Sequence, residues 1–404
     1  MKKNFTLLAF LLCSAMSFAQ IPTNYYSSAT GTGYALKTQL KKIIDDVNDG
    51  LSPEYLHIDR GYGSGPSTTN NGLWTAYGTT DRDMGIGYEN DNTIVDMYSE
   101  NPNNSGTDPY NFNYNTVSGG NNGQCGSYTN EGDCYNREHL VPQSYFDHFQ
   151  INPMKNDPNF VIPTDGKVNG TRDNKPFGKV ATTSYISANG SKLGSSLTSP
   201  YLSYSGIVFE PIDEFKGDIA RCLFYFATRY EDFMDDFYNG ANVTNCESKN
   251  MFDGSTNKAF SDAFILTLIK WHLDDPVSIK EIKRNNAIYA FQGNRNPFID
   301  NPSYVCDIWT TQCNTVNTLS SESFAFENTI SIYPNPAINN EVTISSETEL
   351  KSIVLYNING QIIQEIKNPT RVDNSYKVNN LSSGFYLVQL ASENGVATKK
   401  VIVN

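Results

Sequence analysis

Two stretches decide the fold and the chemistry of this chain: residues 136–146, NREHLVPQSYF, and residues 157–178, DPNFVIPTDGKVNGTRDNKPFG. They place the carboxylate of Glu138, the imidazole of His139 and the carboxamide of Asn169 in one short part of the sequence. A Glu-His pair alone is a weak signal, because most such pairs are polar surface residues. The second stretch supplies partner groups, and the combination therefore predicts a reactive site.

These side chains match what hydrolysis of a phosphodiester requires. A neutral His can take a proton from water near neutral pH, so His139 is the candidate general base. Glu138 and Asn169 offer oxygen ligands for a hard cation, which can stabilise charge on the phosphate and on the departing oxygen. An Arg can hold the phosphate through two hydrogen bonds. With so few protein ligands, Mg²⁺ suits the set better than Zn²⁺.

Residues 1–19 have the form of a secretory signal peptide. Lys2 and Lys3 give a basic start, Phe5 to Leu12 an apolar run too short to span a bilayer, and residues 17–19 a small-residue cleavage site. No later stretch is long and apolar enough to cross a membrane. We therefore expect an exported chain without stable membrane insertion, either released or attached to the cell surface.

Six cysteines remain beyond the signal peptide, and an even number in an exported chain favours disulfides. The sequence does not fix the pairing. The pairs closest along the chain are the first choice: Cys125–Cys134, Cys306–Cys313 and, from what is left, Cys222–Cys246. A zinc site is the alternative, but the cysteines have neither C-x-x-C spacing nor a suitably spaced His.

The net charge of −13 is unusual for a protein that binds nucleic acid. Since the signal peptide is basic and residues 329–404 are neutral, the acidity lies in the central part of the chain. Neutralisation of bulk phosphate should then add little to affinity. Binding would have to rest on a local basic cleft together with a divalent cation.

The length exceeds one average domain, so two domains are expected. A catalytic domain is assigned to residues 20–313, a linker to the Ser-, Thr- and Asn-rich residues 314–327, and a C-terminal domain to residues 328–404. Apolar residues at helical spacing predict helices in three ranges: 34–47, 213–237 and 258–273. Residues 60–130 are rich in Gly, Asn and Asp and predict loops with short strands. The fold class is α+β.

The last domain consists of short alternating runs separated by turn signals such as Asn359-Gly360, which predict a small all-β sandwich. The predicted strands are Thr329–Tyr333, Glu341–Ser345, Ile353–Tyr356, Gln361–Ile366, Gly384–Gln389 and Ala397–Val403. This domain resembles the C-terminal sorting domain of proteins exported by the type IX secretion system, which makes that machinery an expected partner. The matching segments are YPNP at 333–336, LYNING at 355–360, GFYLV at 384–388 and KKVIV at 399–403. An adhesive or carbohydrate-binding sandwich is the alternative, but the tail has no aromatic platform to favour it.

Residues 136–146 and 157–178 resemble the endonuclease I family of periplasmic and secreted nucleases, members of the ββα-metal (His-metal finger) superfamily. Residues 209–225 and 281–300 are similar to the family as well, so the resemblance covers roughly residues 34–305. It implies a ββα-metal nuclease core with surrounding helices. It also implies an endonuclease that cuts DNA, often RNA too, with little sequence preference and leaves 5′-phosphates.

Matched position by position, the resemblance makes His139 the general base and makes Glu138 and Asn169 the metal ligands. Arg137 and Arg172 are the candidates for phosphate contact. Mg²⁺ is the expected cation, with Mn²⁺ or Ca²⁺ as alternatives.

The chain departs from the family pattern at two points. Some members have a phosphate-holding Arg between the His and the Asn, and no Arg lies between Arg137 and Arg172 here. Many members have His or Asn where Phe160 stands. Neither departure touches the expected base and metal ligands.

Two other functions remain open at this stage: a nuclease restricted to RNA, and a secreted nucleic-acid-binding or adhesion protein that kept a dead nuclease fold. The intact set of Glu138, His139 and Asn169 speaks against the second. A monomer is expected.

The remaining conspicuous residues have plainer interpretations. The other histidines (His57, His148 and His272) are expected to be structural or surface residues, and the three tryptophans (Trp74, Trp271 and Trp309) core residues. Three arginines could contact nucleic acid or form ion pairs: Arg221, Arg284 and Arg295. The Asp- and Asn-rich residues 89–115 are interpreted as loop rather than as a Ca²⁺ site, because they lack EF-hand spacing.

Overall fold

The computed structural model describes residues 21–63, 72–85, 90–102, 108–114, 123–146, 152–239, 247–358, 360–393 and 395–404. The expected signal peptide, His148, Cys246 and residues 89, 103–107 and 115 of the 89–115 stretch lie outside these residues. The chain divides into two compact units, with the boundary between Thr310 and Thr311. In the described part of the chain, no helix is long and apolar enough to cross a membrane.

The stretches quoted first form two paired strands followed by a short helix. Strand β1 (Tyr135–His139) runs antiparallel to β2 (Val161–Asp165), with Glu138 opposite Ile162 and His139 opposite Val161. Helix α3 (Gly166–Arg172) follows β2 directly. It begins there because the Asp165 carboxylate accepts a hydrogen bond from the Val168 amide at 2.9 Å, which caps the first turn.

Helices and a second small sheet make up the rest of the first unit. The helices are α1 (Gly33–Ile44), α2 (Leu73–Thr80), α4 (Lys216–Arg229), α5 (Met234–Asn239), α6 (Ile265–Asp274), α7 (Ile279–Gln292), α8 (Pro297–Asp300) and α9 (Tyr304–Ile308). The second sheet is antiparallel, in the order β3 (Val180–Ile186), β4 (Lys192–Ser196), β5 (Ile207–Glu210). The mixed composition confirms the α+β class.

The predicted helices exist, but the limits of all three differ from those expected. The 34–47 pattern forms α1, whereas the 258–273 pattern begins as a helix only at Ile265. The 213–237 pattern is divided: α4 ends at Arg229, and α5 begins at Met234. The 60–130 region was expected to be dominated by loops and short strands, and among its described residues it also contains one helix, α2. Trp74 and Tyr77 anchor that helix in the interior.

Helix α4 is the central element of the first unit. Each of its residues from Gly217 to Arg229 is buried, so the helix is surrounded by protein on all sides rather than amphipathic. On this helix, the ring of Phe224 packs against Trp309, with ring centroids 4.9 Å apart, and against Phe260, with ring centroids 5.6 Å apart. The three tryptophans are buried, which confirms their assignment to the core.

The three arginines left open by the sequence form buried ion pairs. Their partners are Glu281 for Arg221 at 2.5 Å, Asp81 for Arg284 at 2.8 Å and Asp300 for Arg295 at 2.6 Å. All six side chains are at most 4% exposed. They hold helices together and are not available to nucleic acid.

Disulfides are present, as expected for an exported chain. Cys125 is bonded to Cys134, and both Cys306 and Cys313 are disulfide-bonded. The proposed pairing of Cys222 with Cys246 was wrong, because Cys222 is a free, buried thiol. Its place on α4 in the interior explains this, and burial raises its pKa to about 12.

The second unit begins within helix α10 (Thr310–Thr329), so residues 314–327, expected to be a linker, are helical. Seven strands follow: β6 (Ser331–Ile338), β7 (Glu341–Ser345), β8 (Leu350–Asn357), β9 (Ile362–Lys367), β10 (Ser375–Val378), β11 (Gly384–Ser392) and β12 (Gly395–Val403). The unit is all-β after α10, but it is one seven-stranded sheet in the order β10-β7-β6-β12-β11-β8-β9, not two separate sheets.

The sheet of the second unit is joined in its middle by a single parallel pairing, Val403 with Ala337. The three strands on one side and the four on the other contribute to one hydrophobic core, which includes Ile344, Ile353 and Val388. Both sides of the sheet therefore pack onto one core, as the two layers of a sandwich do, although the sheet is continuous.

Candidate active site

A cleft of about 390 Å³ opens beside β1 and α3. Its lining residues are Tyr128, Arg137, Glu138, His139, Pro142, Gln143, Ser144, Asn169, Gly170, Asp173 and Asn174. The pairing of β1 with β2 and the immediate start of α3 bring the two sequence segments to this one surface. Four of the five site residues predicted from the sequence line it. The fifth, Arg172, does not.

Glu138 is a buried carboxylate whose hydrogen bonds are concentrated on one oxygen. Its Oε1 accepts from the Tyr98 hydroxyl at 2.8 Å and from Arg172 Nη1 at 2.6 Å. Burial raises the pKa of Glu138, and the Arg172 guanidinium opposes that rise. Among the described residues both hydrogen bonds of Glu138 go to Oε1, which leaves Oε2 as the oxygen for a further ligand.

His139 is oriented by a backbone carbonyl. Its Nε2 lies 3.2 Å from the carbonyl oxygen of Lys155. Because a carbonyl can only accept, Nε2 carries the proton, and Nδ1 keeps its lone pair. Burial lowers the pKa of His139 to about 4, so the ring is neutral at pH 7. The imidazole is thus held in the form that can take a proton.

Asn169 is fixed through its amide nitrogen. Nδ2 donates to Asn136 Oδ1 at 2.6 Å and to the Arg137 carbonyl at 3.3 Å. These bonds tie α3 to β1 and settle the orientation of the carboxamide. Its Oδ1 is then the atom that remains for a ligand in the cleft.

Arg172 was expected to contact phosphate, and its geometry contradicts that role. The side chain is completely buried. Its guanidinium donates to Glu138, to the carbonyls of His139 and Leu140 at 3.1 and 2.9 Å, and to the Lys175 carbonyl at 3.1 Å. An Arg with its donors used in this way holds the end of β1 and the Glu138 carboxylate in place.

Arg137 stays available at the edge of the cleft. It is half-buried, with its guanidinium carbon 4.0 Å from the centre of the Tyr62 ring and Nη2 3.0 Å from the Gly63 carbonyl. The same ring stacks with His139 at 6.2 Å and lies under the Lys155 ammonium at 4.8 Å. The Tyr62 ring thus contacts two basic side chains, Arg137 and Lys155, close to the imidazole.

Several residues of the site were not found from the sequence. Tyr98 and Tyr62 lie far from the motif in sequence, and Lys155 acts through its backbone carbonyl, which no side-chain pattern reveals. The departure at Phe160 has a simple basis. Its ring is buried against Phe226 at 4.8 Å, so this position belongs to the aromatic core.

The donor set fits a hard cation with few protein ligands. In the parts of the chain that are described, no three His, Cys, Asp or Glu side chains cluster as a metal site. The cleft instead offers one carboxylate oxygen from Glu138 and one carboxamide oxygen from Asn169, the ligand types that Mg²⁺ accepts alongside water and phosphate.

Comparison with known proteins agrees with this geometry. The family model described as Endonuclease I matches residues 32–303, and the model described as secretion system C-terminal sorting domain matches residues 331–404. The extracellular ribonuclease of Bacillus subtilis (strain 168) is 31% identical over 301 residues, 74% of this chain and 82% of that protein. The extracellular ribonuclease of Bacillus amyloliquefaciens is 30% identical over 287 residues, 70% of this chain and 78% of that protein.

The first family match contains the whole cleft, and the second contains all seven strands of the C-terminal sheet. Both resemblances drawn from the sequence are thereby confirmed. Endonuclease I enzymes are nucleases that hydrolyse phosphodiester bonds and generally depend on a metal, and a sorting domain marks a secreted or cell-surface protein. The chain belongs to the Endonuclease I family and carries a C-terminal sorting domain of the type IX secretion system.

Proposed function

We propose that this protein is a secreted, Mg²⁺-dependent endonuclease that cuts DNA and RNA with little sequence preference and leaves 5′-phosphates. The observation that carries the proposal is the presence of Glu138, His139 and Asn169 on the lining of one cleft. A base, a carboxylate ligand and a carboxamide ligand are the minimum set for metal-assisted hydrolysis of a phosphodiester. Two strands and a helix hold them, and this supports the proposal of a ββα-metal core.

His139 acts as the general base in this proposal. The Lys155 carbonyl keeps the proton on Nε2, so that Nδ1 takes a proton from the attacking water. The low pKa of the buried ring ensures that it is unprotonated when substrate binds. Phe146, whose ring centroid is 6.0 Å from the imidazole, and Tyr62 restrict its motion.

Glu138 Oε2 and Asn169 Oδ1 would hold the cation, with Mn²⁺ or Ca²⁺ as alternatives to Mg²⁺. A bound divalent cation supplies positive charge to the phosphate and to the leaving 3′-oxygen. Arg172 positions Glu138, and the two hydrogen bonds of Asn169 Nδ2 position its oxygen. Both ligands are therefore fixed before the metal binds, which reduces the cost of organising the site.

Arg137 is the phosphate contact in this proposal. It is the one basic residue on the described lining of the cleft apart from His139. Its stacking on Tyr62 limits the conformations of the long side chain without using all of its donors. One arginine in the cleft is consistent with the acidity of the chain, because most of the affinity for nucleic acid is then left to the metal ion and to neutral hydrogen-bond donors.

A nuclease restricted to RNA is the second candidate. The observation in its favour is that both relatives described above are called extracellular ribonucleases. A dead fold used for adhesion has no comparable support, because the base and both ligand residues are present and hydrogen-bonded in place.

Cleavage by the purified full chain tests the proposal. Supercoiled plasmid and a long RNA are each incubated with Mg²⁺, with Mn²⁺ or Ca²⁺, and with chelator. We expect both to be cut with Mg²⁺ and neither with chelator. His139→Ala should lower the rate by at least about a hundredfold, the size of general-base catalysis. Unchanged cleavage by His139→Ala would refute the mechanism, and cleavage of RNA alone would select the second candidate.

A matched control for that variant is His272→Asn. His272 is also a buried histidine bonded to a backbone carbonyl, that of Pro302 at 3.1 Å, but it does not line the cleft. Its rate should stay within about twofold of the parent. The chemistry of the ends is read separately: 5′-phosphate products accept radiolabelled phosphate from a kinase only after phosphatase treatment.

A further inference from the structure

We propose that Tyr128 is a substrate-binding residue whose hydroxyl donates a hydrogen bond to the phosphodiester held in the cleft. This inference rests on the function proposed for Glu138, His139 and Asn169, because it places the phosphate beside them. No sequence pattern pointed to Tyr128, which lies outside both motif segments.

The first support for the role of Tyr128 is the way in which its ring is seated on α3. A Cβ added to Gly166 would lie 2.6 Å from Tyr128 Cδ1, and one added to Gly170 would lie 2.0 Å from the Tyr128 hydroxyl oxygen. The ring therefore runs along the glycine face of the helix, with its hydroxyl at Gly170. Two glycines in a seven-residue helix oppose helix formation by about 1 kcal/mol each. Contact with Tyr128 explains both of them.

The second support is where that hydroxyl lies. Gly170 and Tyr128 both line the cleft, and Gly170 follows Asn169 directly. The Tyr128 hydroxyl is therefore next to a proposed metal ligand. Among the described residues it has no hydrogen-bond partner, whereas the hydroxyl of Tyr98 is bonded to Glu138. Because the ring is occupied by α3, the hydroxyl is the part that can meet substrate, and a donor suits a phosphate oxygen.

The third support is that the loop holding Tyr128 is tied at both ends and to α3. The Cys125–Cys134 disulfide closes the loop. The Gly132 amide donates to Asp165 at 2.6 Å, and the Gly166 amide donates to the Cys134 carbonyl at 2.9 Å. The position of the hydroxyl is thus fixed before substrate arrives, as a binding contact requires.

The fourth support is that the Tyr128 hydroxyl is a neutral hydrogen-bond donor in a cleft with few basic side chains. Arg172 is ion-paired with Glu138 in the interior, so Arg137 is the basic side chain on the described lining of the cleft apart from His139, and Asp173 lies on the same lining. A tyrosine hydroxyl binds a phosphate oxygen without adding a counterion-release term. Its removal should therefore weaken binding equally at low and at high salt.

The test measures KM and kcat on a short oligonucleotide substrate with Mg²⁺. Tyr128→Phe should raise KM about tenfold, the size of a hydrogen bond to a charged group. Its kcat should stay within about twofold. The slope of log KM against log salt should be unchanged, whereas Arg137→Gln should reduce it by about one. Tyr238→Phe, an exposed tyrosine away from the cleft lining, is the matched control and should change neither constant.

Gly170→Ala supplies an independent arm, because the added Cβ displaces the Tyr128 hydroxyl while alanine favours the helix. It should raise KM as much as Tyr128→Phe does, and it should have no further effect in a Tyr128→Ala background. If Gly170→Ala acts equally with and without Tyr128, it acts on Asn169 instead, and the proposal is overturned. Unchanged KM in Tyr128→Phe overturns it too. Retained cleavage by His139→Ala would instead overturn the proposed function, so the two failures are distinguishable.

Discussion

The two units of this chain build their interiors in opposite ways. The first unit buries charged side chains in specific pairs, including Arg172 with Glu138 at 2.6 Å and Lys37 with Glu231 at 2.9 Å. In the described part of the second unit, Ser346 is the one buried polar side chain, and the ion pairs are exposed. An apolar interior needs only the right pattern of hydrophobic residues. A charged interior needs each partner, because an unpaired buried charge is costly.

This difference has a functional reason. The first unit must hold a carboxylate, an imidazole and a carboxamide in fixed orientations, and buried hydrogen bonds and ion pairs provide direction that hydrophobic contacts do not. Among the described residues of the second unit, the sheet encloses no buried charged side chain that would need such orientation. The following experiments test whether the contrast holds in energetic terms.

The largest effect is expected from Arg172→Met. It leaves the Glu138 carboxylate buried without its ion pair, which should cost about 3–5 kcal/mol of unfolding free energy. Cleavage should also fall, since Glu138 loses its orientation. Urea unfolding and cleavage rate are the measurements. Lys377→Met removes an exposed pair in the second unit with Glu341 and should cost less than about 1 kcal/mol. Equal losses of unfolding free energy in the two variants would contradict the difference between the interiors of the two units.

Ile353→Ala should destabilise the second unit by about 2–5 kcal/mol, because a fully buried side chain of the sheet core is truncated. The units can be followed separately, since all three tryptophans lie in the first unit. Far-ultraviolet circular dichroism should show the loss, while tryptophan fluorescence and cleavage stay unchanged. Ile269→Ala in α6 is the reverse control and should shift the fluorescence transition. A fluorescence shift in Ile353→Ala would show that the cores are not separate.

Acid should weaken the first unit before the second. Burial lowers the pKa of His57 from 6.5 to about 4, and its Nδ1 accepts from Arg229 at 3.3 Å. Between about pH 6.5 and pH 4, the unfolded chain therefore binds a proton at His57 that the folded chain does not bind. The stability that His57 contributes is full above about pH 6.5 and falls by up to about 3 kcal/mol as the pH drops to about 4. His139 and His272, whose pKa values burial also lowers to about 4, add losses over the same range.

His57→Asn should make this pH profile flatter when urea unfolding is followed by tryptophan fluorescence at pH 7.5 and pH 5. The second unit has no histidine, so its transition in circular dichroism should change little over the same range. A parent and a variant with parallel profiles would exclude His57 as the source.

The smallest effect on catalysis is expected from removal of residues 331–404. Since every described residue that lines the cleft belongs to the first unit, kcat/KM should stay within about twofold. Secretion should be lost in the native host, as read by the distribution of the enzyme between cells and medium. A large fall in kcat/KM would show that the sheet supports the site.

The contrast between the units also explains how far the sequence could be interpreted. Strand β11 was predictable because Tyr386, Val388 and Leu390 alternate and all face the core. Strand β10 was missed because four residues are too few for a pattern. The helix over residues 314–327 was missed because its Ser, Thr and Asn residues are poor helix signals. Val316 is buried on this helix, and helix propensity takes no account of such a tertiary contact.

In the first unit, Glu138, His139 and Asn169 could be predicted because they belong to two short segments with recognisable spacing. The role of Arg172 could not, since its partners are set by the pairing of β1 with β2 and by the burial of Tyr98. The number of positive charges that face substrate is likewise a property of the fold. A sequence lists every arginine but does not say which ones are already bonded.

Cys222 adds a practical consequence. A thiol with a pKa raised to about 12 is almost never a thiolate at neutral pH, and its burial on α4 shields it from reagents. Folded molecules should then be inert to alkylating agents, and a molecule that opens should be marked permanently. In a Cys246→Ser background, the rate at which an alkylating agent labels Cys222 would therefore report how often the catalytic unit opens, with no engineered cysteine required.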